Sequence, residues 1–296
     1  MKNLLKAILA DGQATVTIED STEMVQKAIE THALSPVAAA ALGRTLTMTS
    51  MMGASLKNET DYLSVTIKGD GPLGSIVACG NADGCVKGYV DNPQAMTESV
   101  NHKLNVGAAV GKNGKITVIK DLGFAEPYIG TGRLVSGEIA EDFANYYAVS
   151  EQQPCLVALG VLENPDGSCA SAAGVFVQVL PFAEEETLQA LEAIAVKLGN
   201  VSGIMQNDTP RGVLQRYFGE LKPEITEEKE TAFRCDCCRE RIDRVLLSLG
   251  EKDVAEILAQ QGKLEIVCHF CNKKYEYTQE EAERLFASAK CGGEKS

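Results

Sequence analysis

The pattern that most restricts the fold of this 296-residue chain lies near its end. Cys235-Asp236-Cys237 is followed, after thirty intervening residues, by Cys268-His269-Phe270-Cys271. Two close thiol pairs at that separation offer four soft ligands from two loops, which is what a tetrahedral zinc site requires. A Cys-x-x-Cys at a hairpin tip can aim both sulfurs at one ion, with backbone N–H groups close enough to temper the thiolate charge. Buried structural thiols are the poorer account, since five cysteines would have to cluster by chance in a charged stretch. The residues leave the choice of ligands open. Cys238 follows Cys237 directly, so Cys235 with Cys238 is a rival pair, and His269 is a possible substitute.

The other cysteines read differently. Cys79, Cys85, Cys155 and Cys169 fall on apolar strand patterns and are expected as small buried hydrophobes, and Cys291, near a Gly-rich end, reads as a free thiol. Lys6 and Asp11 interrupt any signal-like apolar stretch at the start, and no apolar run approaches the roughly 18 residues of a bilayer span. A soluble, cytoplasmic chain is expected, where thiols serve as metal ligands or redox groups more often than as structural disulfides. With 28 basic and 41 acidic residues the net charge is −13. That acidity argues against nucleic acid and anionic membrane surfaces as partners, since both are bound through Lys and Arg.

The chain divides by composition into an N-terminal block (1–180), a middle region (181–230) and the cysteine-rich end (231–296). The first block is α+β, with strands in hairpins and helices set between them. Helices are predicted at Glu23–Ile29, from Pro36, and at Glu138–Val149 with Ser136 as a candidate cap. Strands are predicted at Tyr62–Lys68, Ser75–Cys79, Cys85–Val90, Ile116–Ile119, Cys155–Leu162 and Cys169–Leu180, with a Gly- and Pro-rich loop running through Gly137. In the middle region Leu188, Leu191, Ala195 and Leu198 share a helical face, and Thr209-Pro210 caps a second helix carrying Val213, Leu214, Tyr217 and Phe218. The acidic, Pro-containing Lys222–Lys229 reads as a solvated connector. In the last block, Thr278-Gln279-Glu280-Glu281 is a capping box opening a final helix.

Enzyme chemistry finds little footing. Gly69-x-Gly71-x-x-Gly74 imitates a dinucleotide fingerprint, but Pro72 and the β-like Ser75–Cys79 follow it, so a tight turn is predicted. No phosphate-binding loop is present, as Gly111-Lys112 lacks the spacing and the Ser or Thr. His32, His102 and His269 sit in no acid–base or nucleophilic motif. A thiol-disulfide oxidoreductase would place its Cys-x-x-Cys at a helix N-terminus, whereas Cys271 is followed by a strand pattern.

Further segments carry a family resemblance: Ala41-Leu42-Gly43-Arg44-Thr45, Gly69-Asp70-Gly71-Pro72-Leu73-Gly74, Gly88-Tyr89-Val90-x-Asn92-Pro93, Lys120-Asp121-Leu122-Gly123, Ser136–Asp142, Ser150-Glu151-Gln152, and Arg239-Glu240-Arg241 after the cysteines. In this order the chain resembles the 33 kDa chaperonin family, redox-regulated bacterial heat-shock chaperones, over essentially its whole length. The resemblance implies a non-enzymatic, ATP-independent holdase that protects unfolding and oxidatively damaged proteins from aggregation. Its architecture would be a sheet-and-helix core, a helical linker and a small zinc-binding redox-switch domain. It implies one Zn2+ per reduced chain on Cys235, Cys237, Cys268 and Cys271, and an oxidised form that is zinc-free, partly unfolded and a homodimer. The disulfides expected with it are Cys235–Cys237 and Cys268–Cys271. Cys238 stands where members of that family commonly carry Ser, and is kept as a possible alternate ligand. A constitutive zinc-ribbon interaction module and the oxidoreductase are the competing classes.

Overall fold

The computed structural model describes residues 2–100 and 103–292, with side chains through residue 289 of the last helix. His102 and the side chain of Cys291, read above as a free thiol, lie outside the described residues. Contacts divide the chain into two compact units, Met1–Arg234 and Cys235–Ser296.

The first unit opens with a hairpin, β1 (Leu4–Leu9) and β2 (Ala14–Asp20), that the sequence reading did not single out. Both strands are largely buried on both faces, so neither alternates clearly between polar and apolar residues. α1 (Thr22–His32) and α2 (Pro36–Gly53) follow. Ser35 caps α2, its hydroxyl accepting the Ala38 N–H, and Pro36 occupies the first position, where a missing N–H costs nothing. All of α2 is buried except Pro36 and Arg44. Its Thr45, Thr47 and Thr49 hydroxyls therefore donate to carbonyls four residues back. Close packing explains its small residues: a Cβ on Gly43 would come within 2.9 Å of Val161 and 3.0 Å of Val25.

β3 (Tyr62–Lys68), β4 (Ser75–Asn81) and β5 (Cys85–Val90) form an antiparallel meander. The glycine motif is the β3–β4 turn, as its context required. A Cβ on Gly69 would sit 2.1 Å from the Val110 carbonyl oxygen, one on Gly71 would sit 2.3 Å from that of Ala109, and Gly74 has φ +70°. Next come α3 (Val106–Val110), β6 (Lys115–Asp121), β7 (Tyr128–Arg133) and α4 (Ile139–Tyr146), which continues as a π turn over Tyr147–Glu151. β7 lies where composition predicted only loop; its Gly130 and Gly132 give room to Tyr146, which packs against them. Glu138, not Ser136, holds the N-cap position of α4.

β8 (Cys155–Glu163) and β9 (Cys169–Val179) form the predicted hairpin. α5 (Glu185–Lys197), α6 (Val201–Met205), α7 (Pro210–Phe218), β10 (Glu224–Lys229) and β11 (Ala232–Phe233) complete the unit. One sheet has the order β10-β1-β2-β9-β8 and the other β11-β5-β4-β3-β6-β7. α2 packs within the larger core, with residues of β3–β6, while α5–α7 close the opposite face of the five-stranded sheet through Leu191, Ile194, Leu198, Val213 and Phe218. Residues 181–230 are thus part of the first compact unit. Lys222–Lys229, expected as a solvated connector, is mostly the edge strand β10. Its acidic composition is tolerated because the edge faces water and Lys6, Lys229 and Arg211 pair with Glu227 and Glu228. The cysteines on strands are buried (Cys79) or half-buried (Cys85, Cys155, Cys169), and burial pushes Cys155 and Cys169 up to about 12, beyond ready ionisation.

One buried acid is out of keeping with its surroundings. Glu19 on β2 is 0% exposed, and its Oε1 accepts from Ser50 (2.7 Å) and from the Thr231 hydroxyl. Burial pushes its carboxyl up to about 8, against the opposing pull of the hydrogen bonds from Thr231 and Ser50. The folded chain therefore holds a proton that the unfolded chain releases near pH 4.5, and the stability of the first unit falls as pH rises from about 4.5 to about 8. Urea unfolding of this unit should accordingly show Glu19→Gln gaining on the parent through that window, by several kcal/mol at its upper end. A constant difference between the two chains at pH 5 and pH 8 would contradict it.

Candidate metal centre

The second unit is small: α8 (Arg239–Leu249), α9 (Glu251–Gln261), a hairpin of β12 (Leu264–Val267) and β13 (Lys274–Tyr277), and α10 (Gln279–Gly292). Its core is Ile242, Leu246, Val254, Leu258, Leu264, Tyr275, Tyr277, Ala282 and Phe286. The capping box forms as predicted, with the Thr278 N–H donating to Glu281 and the Glu281 N–H to the Thr278 hydroxyl. Arg239 lies over the Tyr277 ring, its guanidinium carbon 3.8 Å from the centroid, and donates to the Glu276 carbonyl. The Tyr277 hydroxyl donates to Asp243 at 2.6 Å. These contacts fix the start of α8, and with it the loop that carries the first cysteines.

Cys235 and Cys237 stand on that loop, and Cys268 and Cys271 at the tip of the β12–β13 hairpin. The Cys268 N–H donates to the Lys273 carbonyl, while Cys271 and Asn272 donate to the Cys268 carbonyl. Asn272 closes the knuckle at φ 57°, a left-handed conformation that Asn adopts more readily than most residues. The four Sγ atoms lie within 4.8 Å of one another, Cys235 3.7 Å from Cys268 and Cys237 3.3 Å from Cys271. Four sulfurs about 2.3 Å from a zinc ion would be about 3.8 Å apart, so the cluster has the dimensions of a ZnS4 tetrahedron.

The electrostatics fit a cation equally well. Burial drives the Cys235 thiol up and pushes Cys271 up to about 11, although the Cys237 N–H reaches Cys235 and the Lys273 N–H reaches Cys271. Burial also acts on Cys237, but hydrogen bonds from the Tyr275 hydroxyl (3.2 Å) and the neighbouring thiols outweigh it and hold Cys237 below the usual thiol range. Several thiolates this close repel one another, and a divalent cation is the chemistry that holds them together. Sequence reasoning missed Tyr275, and took Arg239 only as part of a family motif without its role against Tyr277. The alternation of Tyr275 and Tyr277 on one face of β13 is the signal that places the first beside the sulfurs.

Cys238 lies outside the cluster and is exposed, and His269, also exposed, does not join it. Cys238→Ser should therefore bind zinc as the parent does, with affinity unchanged within about threefold in a chelator competition. If that variant loses the metal, the pair is Cys235 with Cys238.

With the geometry in view, the comparisons with known proteins are direct. A family model described as Hsp33 protein matches residues 2–278. The chain is 49% identical over 288 residues, 96% of each chain, to the 33 kDa chaperonin of Alkaliphilus oremlandii. It is 42% identical over 287 residues, 96% of this chain and 98% of the other, to the 33 kDa chaperonin of Bacillus subtilis. The crystal structure of the 33 kDa chaperonin homolog from Thermotoga maritima superposes with a TM-score of 0.89 at 34% identity, covering 98% of this chain and 99% of that one. No helix among the described residues is long and apolar enough to cross a membrane. Matched over nearly its whole length by a family model, by curated relatives and by a solved structure, the chain belongs to the Hsp33 family.

Proposed function

We propose that this chain is an ATP-independent holdase, inactive while Cys235, Cys237, Cys268 and Cys271 hold one Zn2+, and activated when these thiols are oxidised and the metal leaves. The observation that carries the reading is the gathering of four sulfurs, from two loops, into one cluster within a unit that has only a small core of its own. Bound zinc would supply a cross-link and no reaction chemistry, as befits a closed four-cysteine site.

The cysteines perform the switch. Two ligand thiolates form one S–S bond, giving two electrons to hydrogen peroxide, whose O–O bond breaks and which takes two protons from solvent to leave as two waters; each such event removes two donors from the cluster. Cys235–Cys237 and Cys268–Cys271 are the pairs proposed. In the chain-entropy relation a disulfide over so few residues restrains the unfolded chain by about 2 kcal/mol, against about 4 kcal/mol for one closing a loop of some 34 residues. Only neighbour pairing leaves the two loops unconnected, and a structural zinc contributes about 10–16 kcal/mol in comparable sites. The oxidised unit therefore unfolds. Residues 231–296 act as the switch, 181–230 as the region it releases, and 1–180 as the scaffold. Clients are unfolded or oxidatively damaged proteins, the active form is a homodimer, and the setting is the cytoplasm, where reduced thiols are the resting state.

The test is zinc content, disulfide mapping and suppression of client aggregation on one sample, before and after peroxide. The expected result is about one zinc per chain falling to none as suppression appears. Suppression that is equal in both states would favour a constitutive interaction module, and turnover of a small disulfide substrate would favour an oxidoreductase.

A further inference from the structure

The segment that runs into Cys235 closes the edges of two sheets. β10 pairs antiparallel with β1 at the edge of the five-stranded sheet, and β11 pairs in parallel with β5 at the edge of the six-stranded one. Between them, Thr231 is pinned inside the first unit. Its N–H donates to Asn3 Oδ1 (2.7 Å), its hydroxyl donates to Glu19, and Asn3 donates back to that hydroxyl (2.9 Å).

Cover and seat are unequal. β1 reads Leu-Leu-Lys-Ala-Ile-Leu, with Leu4, Leu5, Ala7 and Leu9 no more than 1% exposed. β10 reads Glu-Ile-Thr-Glu-Glu-Lys, begins with three exposed residues, and slips register between Lys6 and Ala7. Glu is a poor strand former, and the Lys6–Glu227 pair (3.7 Å) is long and partly solvated and contributes little, while Arg211 holds Glu228 through a bidentate pair (2.7 and 2.6 Å) from an exposed side chain. An apolar strand is closed by one that almost any β-prone segment would better. The occupant such a seat takes is settled by what fills it now: an extended backbone, held by main-chain hydrogen bonds that do not depend on sequence. Unfolded chains share that chemistry.

We infer that the edge of β1 is a docking site for client chain, which adds to it as an extended, apolar strand in place of β10. The inference rests on the chaperone reading above and specifies how its substrate is held.

Residue-resolved hydrogen exchange of the full chain tests it, with reduced, carboxymethylated α-lactalbumin as a client that cannot refold. After peroxide, the β1 amides that pair with β10 should exchange at least a hundredfold faster, and saturating probe should restore their protection. The amides between β1 and β2 should stay protected throughout. If the probe binds, by fluorescence anisotropy, while the β1 edge stays open, or if the edge never opens, the docking site lies elsewhere and the inference fails with the chaperone reading intact. Protection that returns on oxidation alone would mean that a second copy fills the edge, which also overturns it. An oxidised chain that binds no probe defeats the reading and the inference together. A second variant works in the opposite sense: Glu224→Val, opposite Ile8, makes β10 a better strand while leaving the sequence of β1 unaltered, and should weaken probe binding several-fold while zinc release is unchanged. Unaltered or tighter binding would count against the site.

Discussion

A chain lacking residues 233–296 should suppress aggregation of a heat-unfolded client in strong reductant, to the level that the intact chain reaches only after peroxide. Phe233 packs against the main core and meets the His32 ring edge-on at 6.2 Å, and it is half of the two-residue strand β11. Without it the connection from β10 keeps only Thr231, the Ala232 N–H on the Gly84 carbonyl and the Lys229 ammonium on the Ala82 carbonyl among the contacts that tie it to its neighbours, and the poorly pairing β10 is held less firmly. The gain should be all-or-none in a light-scattering assay. A truncated chain that still needs peroxide would show that the switch is not C-terminal autoinhibition.

Removal of the metal should unfold residues 235–296 and leave the scaffold of residues 1–180 folded. A unit of this length holds about 3–9 kcal/mol in all, less than the roughly 10–16 kcal/mol that a four-cysteine zinc site contributes. Chelation, Cys268→Ser or Cys271→Ser should each abolish tight zinc binding and collapse the helical signal of α8–α10. Limited proteolysis should then cut beyond Arg234 and leave a resistant N-terminal fragment. Unchanged zinc content in either serine variant would refute the ligand assignment, and uniform digestion would refute the independence of the two units.

These expectations draw on features that differ in how plainly the residues announce them. Helices with chemical start signals were legible: Ser35-Pro36 for α2, Thr209-Pro210 for α7, and the Thr278–Glu281 box for α10. So were hairpins with turn residues, such as β8–β9 around Asn164–Ser168. Elements whose signal is diluted by their surroundings were not. β1 and β2 are largely buried on both faces and so lack clean alternation, β7 is spaced by glycines that admit Tyr146, and β10 is an edge strand whose carboxylates reach solvent. At the cluster, spacing announced two close thiol groups, but the choice between Cys237 and Cys238 could not be made from it. Adjacent residues point in different directions, and only the start of α8, fixed by Arg239 on Tyr277, decides which sulfur turns inward.

The pairing of β1 with β10 has a consequence for how the protein is made. The Lys6 carbonyl accepts a hydrogen bond from Thr226, 220 residues further on. At about 5–20 residues per second, β1 emerges from the ribosome roughly 10–45 s before its edge partner exists. Throughout synthesis, the Leu-Leu-Lys-Ala-Ile-Leu segment is an uncapped apolar strand on an incomplete chain. Each nascent copy thus passes through the hazard that its finished form would relieve in others, and faster translation or a waiting partner for that strand should raise the yield of folded protein.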